Sequence, residues 1–562
     1  VSAATAATSA AVAVRERVLG LLPGRADWHA VRRSPRRDLL AGLTVAIVAL
    51  PLALAFGVTS GLGAQAGLVT AVVAGAVAAV FGGSNLQVSG PTGAMTVVLV
   101  PVVQQFGPAG VLMVGALAGL VLIALALARL GRYVRYLPTP VIEGFTAGIA
   151  VVIALQQVPA ALGVTDAHGD RVWAVAADAV ARFVVHPRPA ALAVALGVAA
   201  LMLLGGRWRP GVPFSLLGVA AATILAETAP VDLVRIGALP QGLPAPSLGF
   251  LDPGAVGVLL PSALAVAALA ALESLLSATV ADGMTVGERH DPDKELFGQG
   301  LANLASPLFG GIPATAAIAR TAVNVRAGAS SKLAALTHAV ALAAIVLAAA
   351  PLVGRIPLAA LAGVLLATTV RMVEAASLLA LARATRGDAL VLVLTFAVTV
   401  IWDLVTAVAV GIAVAIVIAL RAVARSARLE QVPLDRGEHS AEEHALLDEH
   451  IVAYRLDGPL FFAAAHTFLL QLSDVADVRV VILRMSRVSA LDATGAHVLG
   501  DAIRRLRGRG ITVLLSGITP GHDQVLATLG VADELRRDGL VFPDTPAAIA
   551  YARGLLQGAA TA

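Results

Sequence analysis

Between Leu39 and Val423 the chain is a succession of apolar segments joined by short loops, and that pattern leaves few folds open. A helical span needs roughly 20 apolar residues to cross a bilayer core, and fewer where the helix is broken. Spans are predicted at 39–57, 67–81, 91–103, 109–128, 141–162, 190–204 and 212–226, and again at 256–280, 296–308, 314–325, 333–352, 356–373, 389–401 and 405–423. This is seven segments followed by seven, fourteen in all, and in each set the third is short and opens on a Gly/Pro break. One break is Ser89-Gly90-Pro91-Thr92-Gly93-Ala94-Met95, and the other is Gly310-Gly311-Ile312-Pro313-Ala314-Thr315-Ala316. A repeat with an odd number of spans is inverted in its second copy. Broken helices at matching places in two repeats are the best sequence pointer to a transporter's binding site. A helix start leaves N–H groups unpaired and carries partial positive charge. Two such starts facing each other at mid-membrane make a pocket for an anion.

The composition fits this setting. Only 14% of residues are charged and 58% are hydrophobic, whereas a soluble domain carries roughly 25% charge. Most of the chain must therefore face lipid. The net charge of +4 does not point to nucleic acid, because the basic residues are almost all Arg and sit in short loops. There they set topology. Arg32, Arg33, Arg36 and Arg37 precede the first span, and Arg129, Arg132 and Arg135 follow the fourth. Arg207 and Arg209 follow the sixth, Arg371, Arg383 and Arg386 the twelfth, and Arg421, Arg425 and Arg428 the last. All fall on one side, which is then cytoplasmic, and an even span count returns the C-terminus to it. The opposite loops hold fewer, such as Arg171, Arg182 and Arg235. The expectation is a multi-pass protein of the cell membrane with both termini cytoplasmic. The opening stretch has no basic start before an apolar core and does not read as a cleaved signal peptide. With no cysteine there is no disulfide framework and no Cys-based metal site.

After Val423 the character changes. The stretch 424–449 is charged and reads as a linker behind the membrane region 38–423, which itself follows the N-terminal segment 1–37. From 450 to 562 short β runs alternate with helical runs. Val480–Leu483 and Ile511–Leu515 read as buried strands, and Gly495–Leu506 and His522–Leu529 as helices. That makes a small α/β domain. Its notable turn, Ala490-Leu491-Asp492-Ala493-Thr494-Gly495, lies between a strand and a helix.

Glu273 is the sharpest single residue. It lies in the otherwise apolar run 264–280, several turns from a loop. A carboxylate there is costly unless it is protonated, paired or facing a cavity, and such acids mark ion or proton pathways by default. The plainer alternative is a structural acid bonded to a neighbouring helix. At the two breaks, Thr92, Gly93 and Ala94 and then Ala316, Ala317 and Ile318 offer backbone N–H donors and small side chains that let an anion approach. Close helix packing is the competing reading of such small residues. Glu143 stands at a Pro-rich helix start and reads as a cap, Asp403 as a loop residue, and His338 as a packed or cavity-facing histidine. No nucleophile–base pair or metal-ligand cluster appears among the spans, so no enzyme activity and no cofactor are expected beyond a coupling ion.

The segments together resemble the sulfate permease (SulP) family of anion transporters, which includes bacterial bicarbonate and dicarboxylate carriers and has prestin among its animal relatives. Pro51-Leu52-Ala53-Leu54-Ala55-Phe56 with Gln65-Ala66-Gly67-Leu68 is similar to the family's first two spans, and Val88-Ser89-Gly90-Pro91-Thr92 to the start of its third. Pro140-Val141-Ile142-Glu143-Gly144-Phe145-Thr146, Leu272-Glu273-Ser274-Leu275-Leu276-Ser277 and Gly311-Ile312-Pro313-Ala314-Thr315-Ala316-Ala317-Ile318-Ala319-Arg320-Thr321 resemble its fifth, eighth and tenth. The C-terminal domain resembles the family's STAS domain. The resemblance implies an α-helical membrane fold of fourteen spans in a seven-plus-seven inverted repeat, divided into core and gate, with a cytoplasmic α/β STAS domain. It implies an anion bound between the third and tenth spans and carried by an elevator-like movement of the core. It implies a homodimer in the bilayer, with STAS serving dimerisation or a regulatory partner.

It also assigns residues. Phe56 matches an aromatic that lines the family's pocket. Arg320 matches an Arg that adds positive potential to the site in prestin-like relatives; alternatively it snorkels to the cytoplasmic face. Sodium-coupled bicarbonate relatives carry an Asp at the position of Glu273 with a hydroxyl one turn later. Here the pair is Glu273 and Ser277, which favours a proton as the coupling ion and keeps sodium open. Thr494 matches a phosphorylated position in anti-sigma antagonists; the plainer reading is an N-cap by Asp492 or Thr494. Sulfate is the first substrate expected, with C4-dicarboxylate and bicarbonate next. An uncoupled exchanger or channel is the alternative, and a nucleobase permease of the same fold stands behind it.

Overall fold

The computed structural model describes residues 17–24, 31, 34–136, 138–169, 171–209, 212–285, 289–402, 404–426, 428–431, 450–460 and 478–560. A helix covers each of the fourteen expected segments. In chain order the helices of this region are α1 (Pro35–Thr59), α2 (Ala64–Phe81), α3 (Gly93–Leu127), α4 (Thr139–Leu162), α5 (Val172–Val185), α6 (Pro189–Trp208), α7 (Phe214–Thr228), α8 (Val256–Gly283), α9 (Pro292–Leu308), α10 (Ile318–Arg326), α11 (Lys332–Val353), α12 (Leu358–Met372), α13 (Ala375–Ala384), α14 (Arg386–Ile401) and α15 (Leu404–Ser426). The third and fourth segments run together as α3, interrupted where Gly107 adopts φ 67° ahead of Pro108. That left-handed backbone is open to glycine at little cost. Eight helical stretches, one of them α12 with α13, are long and apolar enough to cross a membrane, among the described residues. Their outer faces carry side chains such as Leu204, Val258, Val340 and Leu347, all more than half exposed, as lipid contact requires.

Two helices were not expected. α5 follows the fifth span and α13 the twelfth, the same place in each set of seven. Both were read as loop because they are short and interrupted by charge, Asp178 and Arg182 in one and Arg383 in the other. α5 packs along α4, and α13 along α14.

The packing carries the internal symmetry that the segment count suggested. α1 packs on α11, and the corresponding pair, α8 on α3, is also packed. The same holds for α2 on α11 with α9 on α3, and for α4 on α14 with α12 on α6. Pairs that the exchange maps onto themselves, α2 with α9 and α4 with α12, lie at the centre of two groups. One group, the core, is α1–α3 with α8–α11. The other, the gate, contains α4, α6, α7, α12 and α14. Between the broken segments run two short strands, β1 (Ser89–Gly90) and β2 (Thr315–Ala316). They pair antiparallel, Ser89 opposite Ala316 and Gly90 opposite Thr315, as a two-fold axis between the repeats demands.

The chain divides into two compact units, Val1–Ile412 and Ala413–Ala562. The second contains a five-stranded sheet of β3 (Arg428–Gln431), β4 (Ile451–Leu460), β5 (Val480–Leu491), β6 (Thr512–Ser516) and β7 (Val541–Phe542), in that spatial order. β3 and β4 are antiparallel and the other neighbours parallel. The fully buried run Val481-Ile482-Leu483 of β5 and Val513-Leu514-Leu515 of β6 form its centre, as expected of parallel strands covered by helices. Those helices are α16 (Ala493–Gly508), α17 (Pro520–Thr528), α18 (Asp533–Arg537) and α19 (Thr545–Ala560). Of the predicted linker, 428–431 is β3, and 432–449 lies outside the described residues, as does Asp403.

Candidate functional site

The two breaks meet. Ala317 N–H donates to Val88 O at 3.1 Å and so extends the β1–β2 pairing by one bond. Backbone this deep in a bilayer must have its polar groups satisfied by protein, and a set of buried polar side chains does so. Asn303 of α9 donates to Ala314 O and accepts from Ala314 N–H, both at 2.8 Å. Gln299 donates to Ser89 Oγ at 2.6 Å, and Asn324 of α10 donates to Leu86 O at 2.7 Å. Gln87 donates to Ser274 O, and the Ser274 hydroxyl meets Thr315 Oγ1, each at 2.9 Å. Ser306 donates to Ile312 O at 3.0 Å. Strands and network form a hydrogen-bonded crossing among α8, α9 and α10, and Thr70 of α2 joins it by donating to Ile312 O at 3.1 Å.

Each broken helix starts from this crossing. Thr92 is the N-cap of α3, accepting from Met95 N–H at 3.4 Å. Its hydroxyl donates to Glu273 Oε2 at 2.9 Å. Glu273 is thus presented by α8 to the N-terminus of α3, and it is half-buried. Arg320, in the first turn of α10, is 2% exposed and donates from Nη2 to Pro91 O at 2.8 Å. It does not snorkel. Its charge acts on Glu273 without forming a direct ion pair. A carboxyl, a hydroxyl and a guanidinium therefore converge on residues 91–92.

The backbone donors sort themselves. Ala316 N–H is taken by Ser274 Oγ at 3.3 Å and Ala317 N–H by Val88 O. Among the described residues the N–H groups of Gly93 and Ala94 on α3, and of Ile318 and Ala319 on α10, form no backbone bond. Ile318 has its side chain 42% exposed. Phe56 of α1 is 8% exposed and lies beside the start of α3. A β-carbon on Gly93 would stand 3.1 Å from Phe56 Cε1 and against Ile153 of α4, so at this point the core meets the gate. A cavity of about 820 Å³ lies above, lined by Thr59, Val97, Pro101, Val152, Ala265 and Thr399 among others. It reaches the end of α1 at Val58 and Thr59. It stops one helical turn short of Gly93 and is not lined by Glu273 or Arg320.

The remaining predicted residues lie as follows. Ser277 is fully buried one turn beyond Glu273 and donates to Thr321 Oγ1 at 3.0 Å, which accepts in turn from Val88 N–H at 3.2 Å. It thereby braces the crossing. Glu143 does not cap α4: the N-cap position is Pro138, and Glu143 accepts from Ser377 Oγ at 3.2 Å. In the C-terminal domain Asp492 is the cap of α16, accepting from Gly495 N–H at 2.7 Å, and Thr494 is exposed beside it.

The sequence reading missed the network residues of α9. Glu295, Gln299, Asn303 and Ser306 stand at intervals of four, four and three, one polar stripe on a membrane helix. Glu295 accepts from the N–H groups of Gly83 and Ser84 at 2.9 and 3.2 Å, beyond the end of α2. Lys332 reaches the same end and donates to Gly82 O at 2.7 Å.

Two half-helices crossing inside an inverted repeat, with a carboxyl and a guanidinium at the crossing, define a helical membrane transporter. Its sequence places the chain in a family. Residues 36–395 match the sulfate permease family, and residues 445–548 match the STAS domain. The chain belongs to the sulfate permease family and carries a C-terminal STAS domain. It is 34% identical over 513 residues to YvdB of Bacillus subtilis (strain 168), named as a candidate sulfate transporter, with 88% of this chain and 94% of that protein covered. It is 33% identical over 504 residues to the bicarbonate transporter BicA of Synechocystis, covering 87% and 89%. The transmembrane domain of a cyanobacterial BicA superposes with a TM-score of 0.63 at 34% identity, over 67% of this chain and 98% of that one. The murine solute carrier 26 member A9 anion transporter in its inward-facing state shares the fold, with a TM-score of 0.81 at 19% identity over 96% and 94%.

Proposed function

We propose that this protein is a secondary active transporter of a small anion, coupled to protons through Glu273. Sulfate is the first candidate, and bicarbonate and C4-dicarboxylates follow. The observation that carries this reading is the Thr92–Glu273 hydrogen bond at the N-terminus of α3, with Arg320 across the crossing. Unpaired helix N–H groups and a guanidinium attract an anion. An ionised carboxylate beside them repels it. Protonating Glu273 removes the repulsion, so anion and proton bind better together than apart. A sodium ion held at Glu273 would neutralise it equally, which keeps sodium-coupled symport as the second reading.

In this mechanism the core carries anion and coupling ion past the gate along the Phe56–Gly93–Ile153 seam, as an elevator. The protein works as a homodimer in the cell membrane with both termini cytoplasmic, and the STAS domain supports dimerisation or regulation. An uncoupled path has little need for an acid at the crossing, which disfavours the exchanger or channel reading. The test is uptake of labelled sulfate, bicarbonate and fumarate into proteoliposomes under an imposed proton or sodium gradient. Proton-driven uptake of one anion supports the proposal. Uptake driven only by sodium moves Glu273 to a cation site, and gradient-independent flux of all three overturns symport.

A further inference from the structure

Two buried side chains beside the crossing lack the partners their chemistry requires. Arg320 Nη1 is shielded from solvent and has no hydrogen-bond partner among the described residues, although Nη2 is held by Pro91 O. His338 of α11 is fully buried, and among the described residues neither Nδ1 nor Nε2 has a hydrogen-bond partner. Buried polar atoms are nearly always paired, with protein or with ordered water.

Both groups lie beside the crossing strand and α2. A β-carbon on Gly90 would stand 2.7 Å from Arg320 Nη1 and 3.4 Å from Ala71 Cα of α2. Val88 directly precedes the strand, its carbonyl accepting from Ala317 N–H at 3.1 Å. Val88 packs with Val45 of α1, Ala79 of α2 and Ala335 of α11. His338 is one turn beyond Ala335, and its backbone nitrogen lies 3.1 Å from where a Gly42 side chain of α1 would be. Its neighbour Ala339 comes within 3.9 Å of the same position on Gly75 of α2. The crossing strand, α1, α2 and α11 thus pack around the two groups, and the Arg320 charge acts on the His338 ring.

We infer that an ordered water bridges Arg320 Nη1 to the His338 ring in this chamber, and that His338 is a positioning residue for the guanidinium at the anion site. The donor and acceptor count fits. Nη1 only donates, a neutral imidazole has one donor and one acceptor nitrogen, and a water accepts from the first while donating to the second. Nη2 then fixes the guanidinium from the side of Pro91, and the water fixes it from behind. Held by both, its plane and charge stay turned to the start of α3. Held by one, the guanidinium rotates, and anion affinity falls while movement of the loaded core is unaffected.

The inference rests on the anion-transport reading, so the test has one arm that needs no transport. In proteoliposomes, with whichever labelled anion the wild type takes up, His338→Leu raises KM about fivefold or more and leaves Vmax within about twofold, the scale of losing a charge-assisted hydrogen bond. His338→Gln retains a donor and an acceptor and keeps KM near wild type. In an Arg320→Lys background, which lacks Nη1, His338→Leu adds nothing further. Unchanged KM in His338→Leu, equal behaviour of the Leu and Gln variants, or full additivity on Arg320→Lys each overturns the inference. The independent arm is a water-resolving density map of the wild-type protein. Density between the two groups supports the bridge, and a dry chamber sinks it even where uptake is normal. Wild-type vesicles that carry no anion sink the transport reading instead and leave the map to decide.

Discussion

Replacing Glu273 by Gln tests the proposed coupling most directly. The substitution keeps shape and keeps an oxygen to accept from Thr92 Oγ1, now 2.9 Å away, but it fixes the group as neutral. Its size follows from Coulomb's law. An anion seated at the N-termini of α3 and α10 would lie on the order of 5 Å from the carboxyl. At an effective dielectric of about 20, two unit charges at that distance repel by about 3 kcal/mol. At 1.4 kcal/mol per decade this is about a hundredfold in affinity, lost when the carboxylate ionises and recovered when it is protonated. The wild type should therefore bind its anion more tightly as pH falls through the titration of Glu273. The Gln variant should bind as the protonated wild type does, with affinity independent of pH.

The two forms should also differ in transport. With the proton site gone, an inward proton gradient no longer drives accumulation, while exchange of labelled anion for unlabelled anion across the membrane continues. Binding is read by anion-dependent thermal stabilisation of purified protein across a pH series, and transport by paired gradient-driven and exchange assays in proteoliposomes. Concentrative, proton-driven uptake by Glu273→Gln refutes the reasoning. So does binding by the variant that retains the wild-type dependence on pH.

Four further outcomes are expected. Arg320→Gln removes the buried charge and its 2.8 Å bond to Pro91 O, and should weaken anion binding at least tenfold by the same thermal assay, with a stability loss of about 2 kcal/mol. Gly93→Ala drives a methyl group against Ile153 and Phe56 and should slow uptake severalfold, and adding Ile153→Ala should restore much of it, measured as Vmax. Asn303→Ala deletes both bonds to Ala314 and should cost roughly 2–4 kcal/mol, seen as a lowered melting temperature with unchanged anion affinity in the protein that folds. Asp492→Ala removes the cap of α16 and should destabilise the C-terminal unit by about 1 kcal/mol, whereas Thr494→Ala should leave transport rates as they are.

The sequence disclosed whatever is written in hydrophobic length or in Gly/Pro punctuation. The seven-plus-seven segments and the third-position breaks predicted where α3 and α10 would start, because an apolar run of given length in a bilayer has few alternatives. Glu273 stood out because an acid in such a run is rare. What stayed hidden was tertiary. Nothing near Ala316 or Ala317 says that their N–H groups go to Ser274 and Val88, since that depends on strand register. Ser277 was legible as a hydroxyl one turn from an acid, but its bond to Thr321 needs α10 beside α8. The stripe Glu295, Gln299, Asn303, Ser306 was legible from its spacing alone. Apolar length alone does not reveal it, because the four polar residues fall along one face of the helix.

The distribution of directional bonds bears on how such a core could move. Inside the core, hydrogen bonds from Thr70, Gln87, Gln299, Asn303, Ser306 and Asn324 tie the crossing to α2, α8, α9 and α10. Each has geometry to lose, so the crossing moves as one body or not at all. Where core meets gate, Phe56 and Gly93 face Ile153 through apolar contact, with a long 3.3 Å hydrogen bond from Gln157 Nε2 to Thr59 Oγ1. Apolar surfaces can slide and repack because dispersion has no direction, and a 3.3 Å bond is readily exchanged. A chain that kept its anion site rigid while changing the side to which it opens would need this division, with directional bonding confined to the carrier and nondirectional contact along its track. Moving a polar pair into the seam is the converse case. Ile153→Asn with Phe56→Gln would place mutually bonding amides across it, and should slow exchange while leaving anion affinity within about twofold, since the added bond holds one position of the core against the other. Exchange as fast as wild type in that double variant, with both amides shown to be in place, would mean that the seam does not move during transport.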